Sequence, residues 1–161
     1  MHATLIRRRS AFLREAGLVM VFTAILGPAP TASAGDHPVP ISGQYEVTIT
    51  SATQEMNGDI DVVGVAEGNA THLGRLTEKE NAVIHPNGTL EASVVLTAAN
   101  GDQLFCTDVG GFTSPTTTAG TITFMGGTGR FTNASGTANF EAVIAPDGMH
   151  YTLTFEGTIQ Y

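Results

Sequence analysis

Asp147-Gly148-Met149-His150-Tyr151-Thr152-Leu153-Thr154-Phe155-Glu156-Gly157-Thr158-Ile159 carries both signals that decide the fold. Asp-Gly tolerates the positive φ that a tight hairpin loop demands. Beyond it Tyr151, Leu153, Phe155 and Ile159 alternate with Thr152, Thr154, Glu156 and Thr158. A period of two sends one set of side chains to a buried face and the other to water. The same alternation opens the domain, where Tyr45, Val47 and Ile49 oppose Glu46, Thr48 and Thr50.

Three more turn pairs of this kind lie between strand-like runs: Asn57-Gly58, Asn87-Gly88 after Pro86, and Asn100-Gly101. Softer breaks fall at Gly68-Asn69-Ala70, Ser114-Pro115 and Gly126-Gly127-Thr128-Gly129. Seven breaks divide eight strands, predicted over Ser42 to Ala52, Ile60 to Glu67, Thr71 to Ile84, Thr89 to Ala98, Gln103 to Thr113, Gly120 to Met125, Ala134 to Ala145 and Met149 to Tyr161. No run of ten or more residues after Ile41 has apolar positions at helical spacing, so the class is all-β. Short connections favour an eight-stranded antiparallel up-and-down barrel, because closure hides the edges that otherwise invite aggregation. A two-sheet β-sandwich is the alternative.

Residues 1–34 read as a signal peptide: Arg7, Arg8, Arg9 and Arg14 precede an apolar run from Ala16 to Gly27 that is too short to span a bilayer. Ala32-Ser33-Ala34 offers the small residues a signal peptidase accepts, which places cleavage before Gly35. Paired arginines also begin twin-arginine signals, although two residues separate Arg9 from Phe12-Leu13; the alternative is an uncleaved anchor. A secreted or periplasmic protein follows, with residues 35–40 a flexible lead-in, the barrel over 41–161, and no membrane association after cleavage.

From residue 35 onward three basic side chains stand against fourteen acidic ones, a net charge of −11. Nucleic acid is therefore not an expected partner, because Arg75, Lys79 and Arg130 cannot form a basic footprint. Cys106 is the only cysteine, so no internal disulfide staples the fold and stability must come from a core.

Gly126-Gly127-Thr128-Gly129-Arg130-Phe131 with Ala134-Ser135-Gly136 resembles the glycine-rich turn of dirigent proteins and allene oxide cyclases. Tyr151-Thr152-Leu153-Thr154-Phe155-Glu156-Gly157 is similar to the aromatic-rich last strand of allene oxide cyclases. Upstream, Ala70-Thr71-His72-Leu73-Gly74-Arg75 resembles a segment of uncharacterised bacterial secreted relatives of that barrel. The resemblance implies an eight-stranded calycin-like barrel, often a homotrimer, whose apolar cavity positions a reactive organic molecule. Independently of it, three glycines in four residues permit a backbone path that β-carbons forbid, after which Phe131 can tuck inward.

Several chemistries find no support. There is no Gly-x-Ser-x-Gly elbow for a hydrolase, and His37, His72, His85 and His150 lack zinc spacing. Asn57, Asp59 and Asp61 alternate at a strand start but lack the spacing of a calcium loop, so a solvated hairpin corner is preferred. No cofactor or metal is expected. The polar cluster best suited to a cavity is Glu67, His72 and Arg75, joined by Tyr45, Asp108 and Arg130, with Cys106 as a further lining residue. A buried Arg75 paired with Glu67 could orient a ligand carbonyl or carboxylate; the plainer reading is a rim ion pair. The leading expectation is a barrel that binds a small apolar molecule, with an allene oxide cyclase type isomerase or cyclase, and a structural or interaction barrel, as alternatives.

Overall fold

A computed structural model describes residues 37–161. The predicted signal peptide, its cleavage site and the first two residues of the lead-in lie outside the described residues. Eight strands run in chain order, β1 Val39–Gln54, β2 Ile60–Ala70, β3 Gly74–Ile84, β4 Thr89–Thr97, β5 Gln103–Ser114, β6 Thr117–Gly127, β7 Ser135–Ile144 and β8 His150–Gln160. Each pairs antiparallel with the next, and β1 pairs with β8 from Val39↔Ile159 to Thr48↔His150, so the meander closes into a barrel. That closing ladder rules out the sandwich. It also draws Val39 and Pro40 into β1, two residues before the predicted domain start.

Alternation sorts the side chains as the two outer strands foretold. Ile41, Tyr45 and Val47 of β1 and Leu153, Phe155 and Ile159 of β8 are buried, while Glu46, Thr48, Thr154 and Glu156 are exposed. One end of the barrel, hereafter the closed end, carries the β2–β3, β4–β5 and β6–β7 connections together with Val39 and Tyr161. Leu73, Leu76, Leu96, Leu104 and Phe131 fill it, each 0 to 1% exposed. A single 3-10 turn, Gly129–Phe131, swings the Phe131 ring inward against Tyr161, with ring centres 5.2 Å apart. Gly129 makes this path available: its φ is +56°, and a β-carbon there would overlap the Asp102 carboxylate.

Two local expectations change. The break between β2 and β3 falls at Thr71–Leu73 rather than at Gly68-Asn69-Ala70, because Ala70 still pairs with Gly43 and Gly74. His72 takes the left-handed conformation there, with φ +67°, and its Nε2 lies 2.9 Å from the Pro40 carbonyl oxygen. Strain at a non-glycine residue is thus offset by a tie to β1. The Asn-Gly turns are three-residue loops rather than two-residue ones. In each, the glycine N–H donates to the carbonyl three residues earlier, as Gly58 does to Glu55 at 3.0 Å, and only the glycine has positive φ. The asparagine side chain accepts from the N–H two residues on, as at Asp59 N–H to Asn57 Oδ1, 3.0 Å.

Candidate functional site

The opposite end of the barrel is not filled. A cavity of about 210 Å³ opens between the upper turns, with walls from Ile49, Val62, Ala82, Ile84, Leu90, Phe112, Phe140, Ala142, Ile144 and Leu153. Into this apolar space project Glu80, Asp108, Thr118 and Tyr151. Just below, Tyr45, Glu78 and Cys106 are buried at 2, 2 and 4% exposure. The volume falls below the ~300 to 1,000 Å³ of pockets for drug-sized ligands. It suits one ring with a short chain.

β3 supplies the unexpected residues. Its inward positions are Leu76, Glu78, Glu80 and Ala82, so two carboxyls occupy places where a barrel strand ordinarily carries aliphatic side chains. Glu80 has room because Gly64 stands beside it; a β-carbon at Gly64 would lie 2.6 Å from Glu80 Oε1. The Tyr151 hydroxyl donates to that same oxygen at 2.6 Å, joining β8 to β3 across the lumen. Neither oxygen of Glu78 has a hydrogen-bond partner, nor does Oδ1 of Asp108.

Burial dominates the electrostatics, since a charged carboxylate loses its hydration and gains no cation in exchange. Burial, reinforced by Glu80 and then Asp108, pushes Glu78 up to about 8. Burial and then Glu80 push Asp108 up to about 7. Glu80 is raised by burial and pulled partly back by the Tyr151 hydrogen bond. Tyr45 and Cys106 are raised as well, by burial first and Asp108 second. Cys106 is thus a protonated thiol packed in the core, not an activated nucleophile. Among the described residues no group of three or more His, Cys, Asp or Glu side chains is arranged to hold a metal ion.

The expected polar cluster is split three ways. Tyr45, Cys106 and Asp108 are interior. Glu67 and Arg75 pair at 2.8 Å on the outer wall, with side chains 68 and 76% exposed, and neither reaches the cavity. Parity is the cause: Glu67 follows inward Ala66, and Arg75 precedes inward Leu76. The pair is a solvent-exposed one on the outer wall, where an ion pair contributes little. Arg75→Ala is accordingly expected to move the melting temperature by less than about 2 °C in thermal denaturation. His72 and Arg130 stand at the closed end, where the Arg130 guanidinium donates to the His72 carbonyl and lies 4.9 Å over the Phe131 ring. They brace the plug, away from the upper cavity. At the Asn57 corner, Asp59 binds His85 Nδ1 at 2.9 Å and Asn57 Nδ2 at 2.7 Å.

Residues 37–161 thus define a closed eight-stranded antiparallel barrel with an acidic belt beneath an apolar cavity open at one end. In fold it is a dirigent-like barrel. Among solved structures it is similar to a pterocarpan synthase dirigent protein, at a TM-score of 0.54 and 11% identity, over 78% of this chain and 86% of that one. That likeness is one of fold. No protein-family model matches the sequence, and no curated protein matches it.

Proposed function

We propose that this barrel binds a small, mainly apolar molecule in the upper cavity, as a protein exported to the periplasm or beyond. The observation that carries the reading is the cavity itself: aliphatic and aromatic walls with a few convergent polar groups, Glu80, Asp108, Thr118 and Tyr151, at its base. A barrel serving only as a scaffold gains nothing from leaving that end unfilled, since packing it would add stability. Calorimetric titration with 2-phenylethanol, a neutral one-ring probe, tests the reading. Saturable binding with a dissociation constant at or below about 1 mM is expected. Ala142→Phe, which projects a ring into the cavity, should weaken it at least about tenfold while the circular dichroism spectrum is kept. Absence of saturable heat up to about 10 mM in the unaltered protein would sink the proposal.

One observation favours a second reading, an isomerase or cyclase of the allene oxide cyclase type. Asp108 lines the cavity and holds its proton until about pH 7, so it can protonate a developing oxyanion where shape fixes the reacting conformation. Incubation with racemic short-chain vinyl epoxides, small enough for this cavity, tests it: an enantiomeric excess in the cyclised product supports catalysis, and racemic product at the uncatalysed rate removes it. Exposed apolar side chains such as Val109 and Met125, 59 and 61% exposed, offer a surface for self-association, and light scattering would show whether a homotrimer forms.

A further inference from the structure

Every ionisable side chain that faces the cavity or the layer beneath it is an acid. Around Asp108 stand Glu78 and Glu80 from β3, Tyr45 from β1, Tyr151 from β8 and Cys106 from its own strand. β4, β6 and β7 bring Ala92, Thr118 and Phe140, none of which titrates. Among the described residues the basic side chains lie elsewhere: Arg75 and Lys79 on the outer wall, Arg130 at the closed end. His85 and His150 are engaged by Asp59 and Asp147 outside the cavity.

This arrangement is costly for an empty apolar pocket. Aliphatic residues at Glu80 and Asp108 would hold a neutral apolar guest at least as well, without a buried oxygen such as Asp108 Oδ1 left unpartnered. An anionic guest would be repelled. The guest that gains from these carboxyls is a cation, because its ammonium N–H groups donate to Asp108 Oδ1, which has no hydrogen-bond partner, and its charge compensates the carboxylate that forms.

Deepening the binding reading given above, on which it rests, we infer that the cavity selects small hydrophobic amines: the ring lies against Phe112, Phe140 and Leu90, and the ammonium sits between Asp108 and Glu80. An alkyl ammonium, with a lysine-like pKa near 10.4, stays charged through neutral pH. The free barrel holds Asp108 protonated below about pH 7. Occupation by the ammonium therefore releases one proton from Asp108 to solvent, and affinity rises as pH climbs from 6 to 8. The net charge of −11 over residues 35–161 draws a cationic guest toward the protein as a whole.

The experiment is calorimetric titration with three one-ring probes: 2-phenylethylamine, 2-phenylethanol and 3-phenylpropionate. At pH 8 the amine should bind about tenfold more tightly than the alcohol, and the carboxylate most weakly. At pH 6 the advantage of the amine should shrink, and amine binding should release about one proton, read from the dependence of the heat on buffer ionisation enthalpy. Asp108→Asn keeps the shape of the protonated acid but cannot ionise; it should bring amine and alcohol affinities within about twofold of each other and abolish the proton release that accompanies amine binding. The pH series on the unaltered protein decides the matter even if that variant fails to fold. An alcohol that binds as tightly as the amine at pH 8, or an amine preference that survives Asp108→Asn, overturns the inference and leaves the binding reading standing. Failure of all three probes overturns both.

Discussion

Raising the pH from 5 to 8 is expected to lower the melting temperature of the ligand-free barrel by more than about 10 °C. The cause is the acidic belt. Glu78 is raised to about 8 and Asp108 to about 7 in the folded chain, whereas in the unfolded chain both titrate near 4. Between those limits the folded state holds more protons than the unfolded state, so stability falls as pH rises and levels off above about 8. Glu78 and Asp108 are 2 and 4% exposed, so solvent does little to screen them, and the combined loss is on the order of several kcal/mol. Asp59 and Asp147 behave oppositely: hydrogen bonds, from His85 and from the Met149 N–H respectively, hold them below the usual carboxylate range. Their contribution is lost as pH drops below about 4, so greatest stability should fall near pH 4.5 to 5. Melts followed by circular dichroism across pH 3 to 9 would measure this. Glu78→Gln should flatten the decline and raise the melting temperature at pH 8; a profile that is level or rising from pH 5 to 8 would show that the belt is not buried as described.

Phe131→Ala should remove about 3 to 5 kcal/mol, the usual cost of emptying a large fully buried aromatic site. The ring is 0% exposed, packs on Tyr161 and carries the Arg130 guanidinium on its face. Gly129 holds its backbone in a left-handed conformation, so the 3-10 turn cannot readily collapse to fill the space. A melting temperature lower by roughly 10 to 20 °C follows. Arg130→Ala, which leaves the ring in place, should cost far less. A loss below about 1 kcal/mol for Phe131→Ala would mean that the closed end is not sealed by this residue.

The barrel was legible because its turns announce themselves. Asn-Gly and Asp-Gly fix where strands reverse, and the period-two runs at Tyr45–Ile49 and Tyr151–Ile159 fix which face is buried. Register was harder. Glu67 and Arg75 looked like cavity residues because charge beside apolar residues attracts notice, yet a one-residue difference in parity puts them outside. Glu78 and Glu80 are hidden in the sequence for the converse reason: Thr77-Glu78-Lys79-Glu80-Asn81 is polar at every position and shows no alternation. A period of two from Leu76 to Ala82 carries both inward. Tyr45, Cys106 and Asp108 sit where the inward period of β1 and β5 puts them, whereas the Tyr151 to Glu80 bond spans seventy-one positions of chain and depends on closure.

Val39 pairs with Ile159 at the sealed floor of the barrel, where Tyr161 also packs on Phe131, remote from the mouth. Anything coupled at Tyr161, whether a dye, a resin or a lipid film, will therefore attach on the side away from the mouth, as a handle fixed to the base of a cup. Tethered copies should present their mouths uniformly to the surrounding fluid, so the same protein can be immobilised for sensing without obstructing the lumen.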